Sequence, residues 1–284
     1  MQKKLLLTCL ALSGFGFASI SAQAEQYATA ILDKTGSMQQ MRTDGKSRCQ
    51  YGKELFLTTV AAAMGKTDYL NVKTFGAPGE LFSISNGFYK VTGLSPVVGA
   101  GKVFFDNIQT QINALRCDSS STALGDSICD STNEIRNYVS PSTTQVPRLA
   151  VVTDAGENYS QRCGGANYVD VHIIPRLTSP APKVRMDVTI LAPGGNVSLR
   201  SSQIQNYVPS YEIVPPATTP PSTVALGSAS RLLAPSYSPE VEALIRSAKL
   251  SGGGAIVIQD NKTCTSNCDP LSQGPADDDW GGAW

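Results

Sequence analysis

The chain has 284 residues with no formal net charge, 41% hydrophobic and 16% charged residues, one histidine and seven cysteines. That length holds one large domain with a full core. Its balanced charge gives no electrostatic case for nucleic acid or an anionic membrane, and a single imidazole excludes a zinc site built on several histidines.

Residues 1–24, MQKKLLLTCLALSGFGFASISAQA, join two lysines, an apolar stretch and the small-residue ending Ala22-Gln23-Ala24, the three parts of a secretory signal, so Glu25 is expected to start the mature chain. The short apolar run, broken by Gly and Ser, argues against a retained anchor, and no later stretch is apolar enough to span a bilayer. Losing Lys3 and Lys4 takes 23 basic residues to 21 against 23 acidic, a net charge of −2. Losing Cys9 leaves six cysteines, an even number that in an exported chain argues for disulfides. The expected location is therefore oxidising: periplasm, cell surface or medium.

A strand is expected over residues 27–32 (YATAIL), then a helix over about 51–64 and a second strand over 69–76. An edge strand is expected within residues 81–92, followed by helices over 102–116 and 123–139. Strands at 148–154, 183–191 and 254–259 complete the set, and the last follows a helix with Ser238 as its cap and Pro239 at its first position. Strands alternating with helices predict an α/β, doubly wound, mostly parallel sheet flanked by helices. Residues 155–182 should carry a crossover helix, but Gly and Pro break the pattern and none can be placed. Residues 195–236 read as a Pro-rich insertion after the fifth strand, within a domain spanning 25–260, and residues 261–284 read as an acidic, Cys-containing tail.

The stretch LDKTGS ends an apolar strand in Asp33 and then offers the hydroxyls of Thr35 and Ser37. A carboxylate ending a buried strand is costly without a positive partner, and Lys34 is the one cation nearby in sequence. A bound metal ion would meet that need. Parallel strands present their C-terminal ends on one face, so Asp33, Asp154 after the strand at 148, and Thr122 in the loop before the helix at 123 should converge there. Hydroxyls and carboxylates together suit a hard divalent cation, Mg²⁺ first and Mn²⁺ or Ca²⁺ as alternatives.

These residues resemble the metal-ion-dependent adhesion site of von Willebrand factor type A domains. The family's first motif, Asp-x-Ser-x-Ser, is matched by Asp33, Thr35 and Ser37, its separate Thr by Thr122 and its separate Asp by Asp154; the one substitution, Thr35, keeps the hydroxyl. The stretch AKLSGGGAIVI is also similar to the family's last helix, Gly turn and last strand. The resemblance implies a divalent ion that binds a carboxylate presented by a protein partner, in adhesion or in envelope and surface assembly. The alternative class is a structural or assembly factor whose metal site only stabilises the domain. Six cysteines allow 15 pairings. With four of them expected at the metal-bearing end, the pairing expected is Cys49–Cys163, Cys117–Cys129 and Cys264–Cys268.

Enzymatic readings find little to use, and no catalytic residue is assigned. An aspartyl phosphatase needs a second Asp two residues after the nucleophile, where this chain has Thr35. MGKT at residues 64–67 precedes a strand instead of following one and lacks the phosphate-loop glycine at Val60. A Ser-His-Asp hydrolase would depend on His172, and there is no Gly-x-Ser-x-Gly turn. Glu157 and Asn158 either orient Asp154 or belong to an ordinary polar loop, and Asp126, one turn into its helix, is left outside the site because an acid there favours the helix dipole regardless of any metal.

Overall fold

A computed structural model of the chain describes residues 25–140, 146–192, 211–214 and 237–261. The expected signal, most of the insertion and the tail beyond residue 261, including the Cys264–Cys268 pairing, lie outside the described residues.

The order is β1 (Tyr27–Asp33), α1 (Arg48–Met64), β2 (Tyr69–Phe75), β3 (Phe82–Ser83), β4 (Tyr89–Lys90), α2 (Gly99–Ala114), α3 (Leu124–Tyr138), β5 (Arg148–Thr153), α4 (Ile174–Thr178), β6 (Arg185–Ala192), β7 (Tyr211–Val214), α5 (Pro239–Ser251) and β8 (Ala255–Gln259). The sheet runs β3-β2-β1-β5-β6-β8-β7, with β4 also on β2. Strands β2, β1, β5, β6 and β8 are parallel, while β3, β4 and β7 are antiparallel additions at the edges. The chain winds outward from β1 in one direction to β2 and in the other to β5. The gap between β1 and β5 is thus a topological switch point, where doubly wound sheets bind ligands.

Alternation along β1 sorts its side chains onto two faces. Ala28, Ala30 and Leu32 join Phe56, Val60 and Met64 of α1 and Ile108 and Ile112 of α2 in one core layer. Ile31 faces the other, with Leu124, Ile128 and Ile135 of α3, Leu177 of α4 and Leu244 and Ala248 of α5. Each fully buried side chain such as Phe56 contributes about 1.5–3 kcal/mol. This two-sided burial explains why the strands read as nearly continuous apolar runs.

Local chemistry sets the helix ends. Ser47 caps α1 in a capping box with Gln50, so the helix starts at Arg48, ahead of the expected residue 51. Ser238 caps α5 with Pro239 at its first position, as expected. In residues 155–182 the crossover is one wide π turn, Val169–Ile173, running into the five-residue α4. The core contacts of Val169, Ile173 and Leu177 hold this short element where Gly and Pro hid its pattern.

Candidate metal centre

Asp33 is the last residue of β1 and is wholly buried. Its Oδ1 accepts from the Thr35 backbone N–H at 2.9 Å and its Oδ2 from the Thr153 hydroxyl at 2.7 Å. Among the described residues no ion pair involves Asp33. Burial, and then the negative charge of Asp154, push its carboxyl up to about 7, against the opposing hydrogen bonds from Thr35 and Thr153. Lys34, the cation nearest in sequence, turns away: its ammonium lies 2.7 Å from Glu80 and 3.0 Å from the Ser119 hydroxyl. That contact, with the Ser119 hydroxyl, holds the Glu80 carboxyl below its ordinary range.

After Asp33 the chain enters a single 3₁₀ turn, Gly36–Gln39, and the hydroxyls of Thr35 and Ser37 lie 3.0 Å apart. The loop carrying Thr122 is stitched alongside, with Gly36 N–H donating to Ser119 O at 2.9 Å. Gly76 lets this loop pass close to β2, since a Cβ there would meet the Ser119 side chain at 2.3 Å. Thr35, Ser37 and Thr122, with Gln39, Asp118 and Asn158, line an open cleft of about 330 Å³.

Asp154 follows β5, and the next two residues shape its surroundings, with the Gly156 N–H donating to Asp154 Oδ1 at 3.4 Å. Ala155 adopts a left-handed conformation, φ 66°, which turns the chain sharply after the strand. A Cβ on Gly156 would lie 3.5 Å from Asp154 Oδ1 and 3.9 Å from Thr122 Oγ1, so these two oxygens border the same small gap. The five residues Asp33, Thr35, Ser37, Thr122 and Asp154 are thus gathered at one end of the sheet, hydroxyls toward the cleft and carboxylates buried behind them. Among the described residues no cluster of three or more His, Cys, Asp and Glu could hold a metal. An ion here would depend on the hydroxyls.

Glu157 does not turn to Asp154. Its carboxylate accepts from the Gly125 N–H at 2.7 Å, at the start of α3, and from Tyr159 and Ser160 of its own loop. Asn158 holds the Thr122 N–H at 2.8 Å. Asp126 accepts from the backbone N–H groups of Gln161, Arg162 and Cys163, so it braces the loop and takes no part in the ligand set.

The bridges differ from the expected pairing. Cys49 joins Cys117 and Cys129 joins Cys163, so both Cys49–Cys163 and Cys117–Cys129 are corrected. The reason is the face of α3: Gly125 and Cys129 lie one turn apart on one side of the helix, and a Cβ on Gly125 would come 2.1 Å from Cys163 O. That side packs on the loop after β5. Both bridges tie loops at the end of the sheet where Asp33 and Asp154 lie.

Two residues that the sequence reading missed complete the site. Thr153 fixes Asp33 from the neighbouring strand. Arg48, buried at the first position of α1, donates to Asp260 from Nε at 2.9 Å and from Nη2 at 2.7 Å, while its Nη1 lies 3.4 Å from Asp154 Oδ2. An alternating pattern shows neither; Thr153 preceding a strand-ending Asp is a faint signal, and Arg48 had none.

No protein-family model matches the chain, and no curated protein does. The solved structures it is similar to include BatB from Bacteroides thetaiotaomicron, described as a conserved hypothetical protein, at 15% identity over 58% of this chain and 66% of that one, TM-score 0.39. An aerotolerance-related membrane protein from Bacteroides fragilis is 14% identical over 87% of this chain and 96% of that one, TM-score 0.45. The SpRpn10 VWA domain is 10% identical over 61% of this chain and 77% of that one, TM-score 0.39. The fold stands on its own topology, a doubly wound, mostly parallel sheet with helices on both faces. No helix among the described residues is long and apolar enough to cross a membrane.

Proposed function

We propose that the chain is an exported domain that binds a divalent ion through Asp33, Thr35, Ser37, Thr122 and Asp154 and uses it to recognise an acidic group on a protein partner. The observation that carries this reading is Asp33: a wholly buried carboxylate with no ion-pair partner among the described residues, bonded through its Oδ1 to the Thr35 backbone, whose hydroxyl with those of Ser37 and Thr122 lines the adjacent cleft. When bound, a hard cation such as Mg²⁺ supplies an electrophilic centre with a position open to a carboxylate oxygen.

The chain's own residues divide the remaining work. Asp33 and Asp154 supply negative charge, and Thr35, Ser37 and Thr122 supply neutral oxygens. Gln39, Asp118 and Asn158 form the surrounding surface that would choose the partner. A site whose ion only stabilises the domain is less well supported. Two disulfides and the Arg48 ion pairs already tie these loops together through protein bonds.

A pull-down from the native envelope with the full chain as bait, with and without chelator, tests the reading. Proteins retained with the ion and lost with chelator support it. Retention that ignores the chelator contradicts it.

A further inference from the structure

We infer that Arg48 is a positioning residue that sets which divalent ion the site accepts. The inference rests on the metal reading above. Its guanidinium is buried and spans two carboxylates brought from different strands: Asp260, just past β8, in a two-pronged contact, and Oδ2 of Asp154, just past β5. Asp260 is itself fixed, its backbone O accepting from both the N–H and the hydroxyl of Thr43 at 3.0 Å and its N–H donating to Ala192 O at 3.1 Å. Arg42 adds a second buried cation, 3.9 Å from Asp260 Oδ1 and stacked 3.8 Å over the Tyr51 ring.

Arg48 therefore occupies one oxygen of Asp154, and the other, Oδ1, lies on the side of Gly156 and Thr122, where it accepts the Gly156 N–H at 3.4 Å and keeps a second lone pair for an ion. A carboxylate held in this way can face an ion with one oxygen only. Mg²⁺ works with single oxygens and retained waters in a tight octahedron, whereas Ca²⁺ takes more oxygens and favours two-oxygen grips from one carboxylate. The guanidinium also cancels part of the anionic charge, which disfavours the ion that needs more anionic oxygen. Both effects select the smaller ion.

Calorimetric titration of Mg²⁺ and Ca²⁺ into the full chain, Arg48→Met and Asp260→Asn tests this. Freeing Asp154 Oδ2 in Arg48→Met should raise the Ca²⁺ to Mg²⁺ affinity ratio roughly tenfold. Asp260→Asn keeps the guanidinium but removes its competing anion, so the cation bears more on Asp154 and both ions should bind roughly tenfold more weakly. A purely structural Arg48 would lower stability and leave the ratio alone. An unchanged ratio in folded Arg48→Met, or unchanged affinities in Asp260→Asn, overturns the inference, whereas no binding by the unaltered chain overturns the metal site beneath it.

Discussion

Breaking the Cys129–Cys163 bridge gives a perturbation whose size follows from the connectivity. The bridge closes 34 residues. Removing that constraint from the unfolded chain costs about 4 kcal/mol of stability. The second bridge, Cys49–Cys117, closes 68 residues that do not overlap the first, so it leaves this figure untouched. Both sulfurs are buried in the layer formed by Leu124, Ile128 and Val169, and alanines there add about 1 kcal/mol for the lost packing. At about 2–4 °C per kcal/mol for a domain of this size, Cys129→Ala/Cys163→Ala should melt roughly 10–20 °C lower. Differential scanning calorimetry of the full chain reads it. A drop under about 3 °C would show that the bridge adds no constraint and would refute the pairing as well as the arithmetic.

Gly125→Ala places a Cβ against the Cys163 carbonyl, a backbone atom that cannot turn aside, and should cost about 1–3 kcal/mol in urea unfolding. Asp126→Asn tests the acid limb: burial opposes ionisation, but three backbone N–H donors and Arg162 outweigh it and hold the carboxyl below its ordinary value. The unfolded chain therefore takes up the proton first, so this contribution is present above about pH 4 and is lost as pH falls below it. Melting curves of Asp126→Asn between neutral and acid pH should fall less steeply than those of the unaltered chain, and parallel curves would contradict the assignment.

The sheet was legible because both of its faces are covered: five apolar runs and their intervening helices announce parallel strands, and the C-terminal ends of β1 and β5 carry the site by topology alone. Asp33 could be picked out because a carboxylate ending a buried strand needs a positive partner, whereas Thr35, Ser37, Thr122 and Asp154, residue types that turns commonly hold, were assigned by their place in the topology and by the resemblance to the metal-ion-dependent adhesion site. What stayed hidden depends on distant partners. The Arg48 network joins residues 106 and 212 positions apart, and no local pattern encodes such a pairing. The crossover at residues 169–178 is held by core contacts and not by helical periodicity. The disulfide partners depend on which face of α3 meets the loop after β5, a choice that Gly125 and Cys129, spaced one turn apart, hint at once the contact is known.

The most direct test of the metal site is a Mg²⁺ titration of the full chain beside Asp33→Asn, with melting temperatures of both in chelator. An asparagine keeps the shape and, through its Oδ1, the bond from the Thr35 N–H, while its amide nitrogen can only donate to the Thr153 hydroxyl where the carboxylate accepted from it, and it removes a buried charge that Asp154 repels. The account predicts that the unaltered chain binds Mg²⁺ and is stabilised by it, whereas Asp33→Asn binds none and, free of metal, melts at the same temperature or higher. Equal Mg²⁺ binding by the two proteins, or none by either, would contradict it.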